Sequence, residues 1–408
     1  MAFFFSRDTK VFMEWSEDGT SGQTALYEIP VLDGFSFSQG TNTSEVTLSE
    51  AATSAGATKR GRAMFTDSFA PAEWSFSTYM RPTVSGSNAK YVSGDHADAG
   101  GHFAVEGPLW AAMSATDYDK ACGGDAFGDT DKQEFNFANS NNVALGTFNM
   151  YFVLGAAKDT ATTEYATGTD GVTVYKLANC SVGSASIDFD IEGIAQIGWA
   201  GNGQTVEELN TALNTAASGT TAKGLIREGV DTTSNFIRQK LTDLTISFKP
   251  GSSTGTLGAL DSNSNSDQAY SITLTGGNIT IENNLTYLTP ETLGQVNLPL
   301  GHVMGTRSVS GNFTCYLNDA ANSSLDLFER LQESRGVITN AFGLTFGIGG
   351  SGGTPRCNVE VATAHLELPS HSFEDVVSVD VAFHGLPGDL SATDATAANE
   401  VKVTYVGA

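Results

Sequence analysis

Apolar residues in this sequence recur at every second position, and that period dictates a sheet. Phe35 and Phe37 alternate with serines in GFSFSQ, and Trp74, Phe76 and Thr78 alternate with Ser75 and Ser77. Ile187, Phe189 and Ile191 alternate with Asp188, Asp190 and Glu192. Val377, Val379, Val381 and Phe383 alternate with Ser378, Asp380, Ala382 and His384. Successive side chains of a strand point to opposite faces, so each run has one apolar and one polar face. Clusters of Gly, Ser, Asn and Asp separate the runs and punctuate them as turns. The expected fold is mainly β and mostly antiparallel, with one face of each sheet buried. Ile187, Phe189 and Ile191 are all expected in the core.

Few stretches carry a helical period. Val105 to Ala115 is one, with Pro108 near its start. Ser323 to Ser334 is another. Ser323 or Ser324 can cap it, Asp326 suits its first turn, and Leu325, Phe328 and Leu331 form an apolar stripe. Val206 to Ala217 is a third candidate. Residues 83–103, 116–135, 156–171 and 251–267 are long polar loops, a class that is usually functional or mobile.

The order of elements repeats once. Phe5 and Arg7 align with Phe236 and Arg238, and Tyr27 and Ile29 with Tyr270 and Ile272. Phe76 and Tyr79 align with Phe313 and Tyr316, and each segment is followed by its helix, carrying Trp110 or Phe328. FNMYFVL at Phe148 aligns with FGLTFGI at Phe342, and Cys180 with Cys357. The sequence therefore divides into two copies of one β-rich unit, 1–204 with long loop insertions and 230–408, joined by a connector over 205–229.

Composition narrows the function. Charged residues make up 16% of the chain, 46 acidic against 21 basic, for a formal net charge of −25. Tight nucleic-acid binding needs clustered Lys and Arg and is disfavoured. The longest apolar stretch, Met150 to Ala157, is far short of the ~20 residues of a membrane span, and no basic leader precedes an apolar run at the N-terminus. Cys122, Cys180, Cys315 and Cys357 contain no CxxC pair, and reduced thiols are expected.

Motifs for chemistry fail on context. Gly347, Gly349 and Gly352 fit GxGxxG, but a strand rather than a helix follows, so a hairpin loop is the better reading. GSSTG around Ser253 opens a polar tract and lacks the strand-to-helix setting of a nucleophile elbow. Asp95, His96, Asp98 and His102 could reach one metal ion, but they sit in a glycine-rich loop without a framing scaffold. His365 and Glu367 resemble the HxE of zinc deaminases without the PCxxC that should follow. Neither an enzyme, a metal nor a cofactor is expected.

AEWSFSTYMRP followed by the helix around Trp110, and VYKLANCSVGSASIDFDIEGIAQIGWAGNG, resemble a bacteriophage tail tube protein. The plan recurs in VSGNFTCYLNDAANSSLDLFERL and CNVEVATAHLELPSHSFEDVVSVDVAFHG. The resemblance implies two tandem β-sandwich or barrel domains, each with a short flanking α-helix. It implies rings of three chains, pseudo-hexameric, stacked into a tube that delivers DNA into the host. Assembly is expected in the host cytoplasm. The expected partners are further copies of the chain, the tape measure, the tail tip or baseplate, the terminator, and a sheath where one exists. DNA is expected only in transit, and no membrane is expected. An extracellular or virion-surface adhesin or decoration protein would share this composition and stays open as the alternative.

Two sets of residues carry the expected function. Leu109, Trp110 and Met113 are expected to pack on the first domain's sheet, and Leu325, Phe328 and Leu331 on the second. Asp188, Asp190 and Glu192 share one strand face, with Asp380 in the corresponding strand of the second copy. These carboxylates either line the channel or belong to an ordinary solvated sheet face.

Overall fold

The computed structural model describes residues 4–16, 24–46, 63–84, 102–117, 121–122, 132–138, 145–155, 164–165, 171–214, 222–226, 236–248, 268–294, 296–333, 342–350, 355–373, 375–387 and 399–406. Most of the four long polar loops, GSSTG, and Asp95, His96 and Asp98 lie outside these residues. The first part of the chain carries β1 (Lys10–Ser16), β2 (Thr24–Ile29), β3 (Ser36–Val46), β4 (Ala63–Tyr79), β5 (Pro82–Val84), β6 (His102–Ala104), α1 (Gly107–Ser114), β7 (Gln133–Ala138), β8 (Phe148–Leu154), β9 (Glu164–Tyr165), β10 (Thr173–Phe189) and β11 (Gln196–Gly203). Next come β12 (Thr205–Glu208), β13 (Leu213–Asn214) and β14 (Ala222–Ile226). The remainder carries β15 (Asp243–Phe248), β16 (Gln268–Ile272), β17 (Leu274–Glu282), β18 (Leu285–Leu288), β19 (Gly301–Met304), β20 (Ser308–Tyr316), α2 (Ser324–Glu333), β21 (Phe342–Ile348), β22 (Arg356–Leu366), β23 (Ser370–Phe373), β24 (Val377–Leu386) and β25 (Asn399–Val406). The protein is mainly β, built on a large antiparallel sheet.

Pairings made early in the chain recur later. β1 pairs with β2 and β8, β8 with β10, β10 with β11, β11 with β4, and β4 with β3. Correspondingly, β15 pairs with β16 and β21, β21 with β22, β22 with β24, β24 with β20, and β20 with β17. The registers correspond as well. Val11 sits between Ile29 and Phe152, as Leu244 sits between Ile272 and Phe346. Phe76 faces Trp199 as Phe313 faces Val381.

Two anchors of the sequence repeat shift in this frame. Val11 matches Leu244, two residues from the register set by Phe5 and Phe236. Cys180 faces Phe148 at one end of its pairing, whereas Cys357 faces Ile348 at the other, so the two cysteines are not equivalent. A bulge between Leu177 and Cys180, matched by an irregularity opposite Phe342 and Leu344, hid this slip from alternation alone.

The two parts of the chain share one sheet. The C-terminal half of β10 pairs with β17, and β25 pairs with β7. One apolar core draws on both, from Trp15, Trp74 and Trp199 to Phe313, Phe346 and Phe383. A smaller cluster of Phe12, Tyr151, Val153, Tyr165, Val174 and Leu213 covers the far side of β1, β8 and β10. Side-chain volume is balanced across the rungs. Gly201 lies opposite Trp74, and a Cβ there would meet the indole at 2.5 Å. On the corresponding rung the sizes are reversed, with Gly311 opposite Phe383 and its ring 2.8 Å from where a Cβ would stand. Each rung holds one aromatic ring and one glycine because close packing leaves no room for two rings.

Three sequence expectations change. The described part of Val206 to Ala217 is not a helix: Thr205–Glu208 pairs with β10 and Leu213–Asn214 with β9, so ladder bonds override its weak helical period. Ile191 is 51% exposed, because β10 ends at Phe189 and the alternation ends with it. On α2 the buried leucines are Leu327 and Leu331, one turn apart, while Leu325 and Phe328 are only half-buried. Spacing by three drifts around a helix of 3.6 residues per turn, and spacing by four holds the face.

The helix α1 is buried all round, including Leu109, Trp110 and Met113. Trp110 packs against Trp199 at 4.7 Å between ring centroids and against Phe137, and its Nε1–H donates to the Tyr405 hydroxyl at 3.0 Å. The Glu106 carboxyl, at the helix start, accepts the Arg81 backbone N–H at 3.3 Å and hydrogen-bonds Tyr405. Burial pushes this carboxyl up to about 7, against the pull of Arg81 and its hydrogen bonds.

Two outcomes follow. Trp110→Ala should lower stability by about 3–5 kcal/mol, read by denaturant melting, since a large buried side chain is lost. The raised Glu106 carboxyl contributes stability in full below its unfolded value of 4.5 and loses it as pH rises to about 7. Glu106→Gln should therefore match the wild type near pH 4. It should exceed it by roughly 3 kcal/mol at pH 8, at about 1.4 kcal/mol per unit. A constant difference between the two proteins across this range would show that Glu106 does not titrate there.

Candidate functional site

The alternating strands assemble into one continuous run, β3–β4–β11–β10–β17–β20–β24–β23, every neighbour antiparallel. Directly opposed residues of such a ladder share a face. The rung through Asp188 therefore joins Tyr79, Gln196, Asp188, Asn278, Asn312 and Ala382. The rung through Ser186 joins Ser77, Gly198, Thr280, Ser310 and His384 in the same way. All of these point away from the core, whose rungs are built by Ile187, Ile197, Ile279 and their neighbours.

This outer face is made mostly of small polar groups, with the larger Tyr79 and His384 on the rungs just named. Ser36, Ser38, Ser75, Ser77, Ser184, Ser186, Ser308, Ser310, Ser370, Ser372 and Ser378 supply hydroxyls, and Gly198, Ala200 and Ala382 leave it smooth. Its hydrogen bonds run across the strands. Ser36 and Ser75 share one at 2.8 Å, the Asn312 backbone N–H donates to the Asn278 side chain at 3.1 Å, and Asn312 Nδ2–H donates to the Asp380 carboxylate at 3.3 Å. Glu73, Asp188, Glu282 and Asp380 carry acidic charge, and no Lys or Arg stands on these rungs. Burial, with the negative charge of nearby Asp380, pushes the Cys315 thiol up to about 11, so it stays protonated. All four cysteines are buried.

The structure separates the acidic residues singled out in the sequence. Asp188 and Asp380 share this face, Asp188 on β10 and Asp380 on β24. The strand matching β10 is β22 continued by β23, so Asp380 stands opposite Ser370 and matches Gly198 rather than a carboxylate of β10. Asp190 and Glu192 lie in the turn beyond β10, outside the ladder, and Asp190 accepts the Ile191 N–H within that turn. Glu73 and Glu282 were missed because neither sits in a long alternating run. Only the pairing partners place them.

Where β17 meets β10, a buried polar hub ties the sheet to α1. Asn283 donates to the Met113 and Val182 carbonyls at 3.0 and 3.2 Å, and its side-chain oxygen accepts from Arg307 Nε–H at 3.1 Å. Arg307 lies over the Phe137 ring with Glu400 3.8 Å away, and burial pulls its guanidinium down to about 10.

The remaining motifs take local roles. Gly349 and Gly350 adopt positive φ in the connection between β21 and β22, a hairpin. His365 faces His384 across β22 and β24, and His384 Nε2 lies 3.3 Å from the exposed Glu367 carboxylate. Among the described residues no group of three or more His, Cys, Asp or Glu is placed to hold a metal ion.

No family model matches the chain. It is 28% identical over 402 residues to tail tube protein pb6 of Escherichia phage T5, covering 97% of this chain and 75% of that protein. The match runs over nearly the whole chain, which favours the tail tube reading over the adhesin one. The chain is a homologue of that tail tube protein over nearly its whole length.

Proposed function

We propose that this chain forms rings of three copies that stack into the tail tube, with the small-residue polar face lining the DNA channel. The observation that carries this reading is the face itself. A channel wall for a sliding duplex should offer no cations to phosphate and few bulky side chains to obstruct it. Glu73, Asp188, Glu282 and Asp380 repel phosphate, and the serine, glycine and alanine rungs around them leave a low-relief surface. An ordinary solvated face has no reason to exclude Lys and Arg so thoroughly.

The recurring pairings support a duplicated unit, 1–204 and 230–408, joined by the connector 205–229. Two units per chain make three chains the equivalent of six, and closed cyclic assembly hides strand edges that would otherwise aggregate. On this reading Asp190 and Glu192, in the turn beyond β10, stand at the channel's rim. The tape measure, terminator and tail tip are the partners such a tube would meet at its ends. DNA passes through as cargo rather than as a tightly held ligand.

Electron microscopy of the purified protein should show hollow tubes or stacked rings, and image averaging should give three chains per ring. Dispersed single particles, or six full-length chains per ring, would overturn the proposal. Asp188→Lys with Asp380→Lys should still permit tubes but slow DNA passage in low salt, since each lysine adds a phosphate contact. Ejection at the wild-type rate would remove this face from the channel.

A further inference from the structure

The strands of the polar run, β3, β4, β11, β10, β17, β20, β24 and β23, contain a single basic side chain, Lys176. It lies in the part of β10 that pairs with β8 and β12, off the run, where its amine stands 3.4 Å from the Glu207 carboxylate. Histidine is then the residue type that can bring positive charge to this face, since its ordinary charge change falls between about pH 5 and 8.

Two histidines meet there. His384 of β24 stands on the rung through Ser186, Thr280 and Ser310. The end of β22 extends this rung by one strand, and His365 lies directly opposite His384. Ala364, Leu366 and Phe383, their chain neighbours, are buried in the core, so both imidazoles take the polar side. Opposed positions of such a ladder are about 5 Å apart at Cβ. His384 is exposed and His365 half-buried, and His384 Nε2 lies 3.3 Å from the exposed Glu367 carboxylate.

The other groups around this pair cannot supply the same charge. β20 contributes only Ser310 and Asn312 beside it, while Asp380 of β24 and Glu282 of β17 are acidic. His371 of β23 faces Val379 on the core side and packs edge-on against Phe328. His302 bonds Ser181 at the far end of the sheet, where burial pulls its imidazole down, towards the neutral form.

We infer that His365 and His384 form an acid-operated binding site for the phosphodiester backbone of DNA. With both imidazoles neutral, the trio with Glu367 carries a formal charge of −1 and repels phosphate. With both protonated it carries +1, and each ring offers N–H donors to phosphate oxygens. Acid thus converts a patch that lets the duplex slide into one that holds it. The inference rests on the reading of this face as the channel wall and adds a condition under which passage stops.

The test measures binding of a short linear DNA duplex to the full-length chain in low salt, at about pH 5 and about pH 8. Unassembled wild-type chains should bind roughly tenfold more tightly in acid, and added salt should erase the gain. His365→Gln with His384→Gln keeps polar side chains that cannot become charged, and should lose most of the gain. Glu367→Gln removes the opposing carboxylate and should strengthen binding in acid further. No acid gain in the wild type, or a gain that the double variant keeps, overturns the site. Should the double variant fail to fold, His384→Gln alone decides, because its side chain is exposed; an unchanged gain would refute the site. Tubes should show the same acid gain, with the retained duplex protected from nuclease. A gain in unassembled chains together with a nuclease-sensitive duplex on tubes overturns the channel placement of the face instead.

Discussion

The pairing of β10 with β17 is the interaction on which the rest of the structure depends. It turns two sets of strands into one sheet, and it does so with backbone bonds from Ser184–Phe189 to Glu282–Gly277. Ile187 and Ile279 close the core beneath it, and Asp188 and Asn278 continue the polar face above it. Asn283 then fastens the seam to α1 through two backbone carbonyls. Without this pairing β10 and β17 would each present an open edge, the situation that proteins ordinarily avoid.

The two faces of the sheet obey different physical demands. The core face is filled by large side chains whose volumes are balanced across rungs, as in the reversed Trp74–Gly201 and Gly311–Phe383 pairs. On the outer face Tyr79 packs against Phe236 at one margin, yet small polar residues recur across the strands. Packing cannot explain that choice, which is why the face rather than the core carries the functional reading. The homology to a tail tube protein gives that choice a setting, since a tube has an inner wall as well as an outer one.

Electrostatics reinforces the division. Buried charges sit in connected clusters: Glu106 with Tyr405 and Arg81, and Arg307 with Asn283 and Glu400. These clusters join α1 and the strands around it to β25 and the start of β20. Burial raises the Glu106 carboxyl and lowers the Arg307 guanidinium, the directions expected when charge is moved out of water. The acidic residues of the outer face, by contrast, remain in contact with solvent.

Alternation alone determined the class of fold, the buried residues Phe76, Ile187, Phe189, Val379 and Phe383, and the polar identity of the opposite face, because side-chain direction in a strand is fixed by its period. Repeated aromatic positions such as Tyr27 with Tyr270 and Phe148 with Phe342 also gave a register that the ladders keep. What alternation could not supply is where a strand stops or bulges. Ile191 was therefore placed in the core when it lies past the end of β10, and Cys180 was matched with Cys357 across a bulge. It also could not say which strands are neighbours. That Glu73, Asp188, Glu282 and Asp380 lie on one face follows from long-range hydrogen bonding between segments far apart in sequence. Only the tertiary structure decides such pairing, because the backbone groups that make it are the same at every residue.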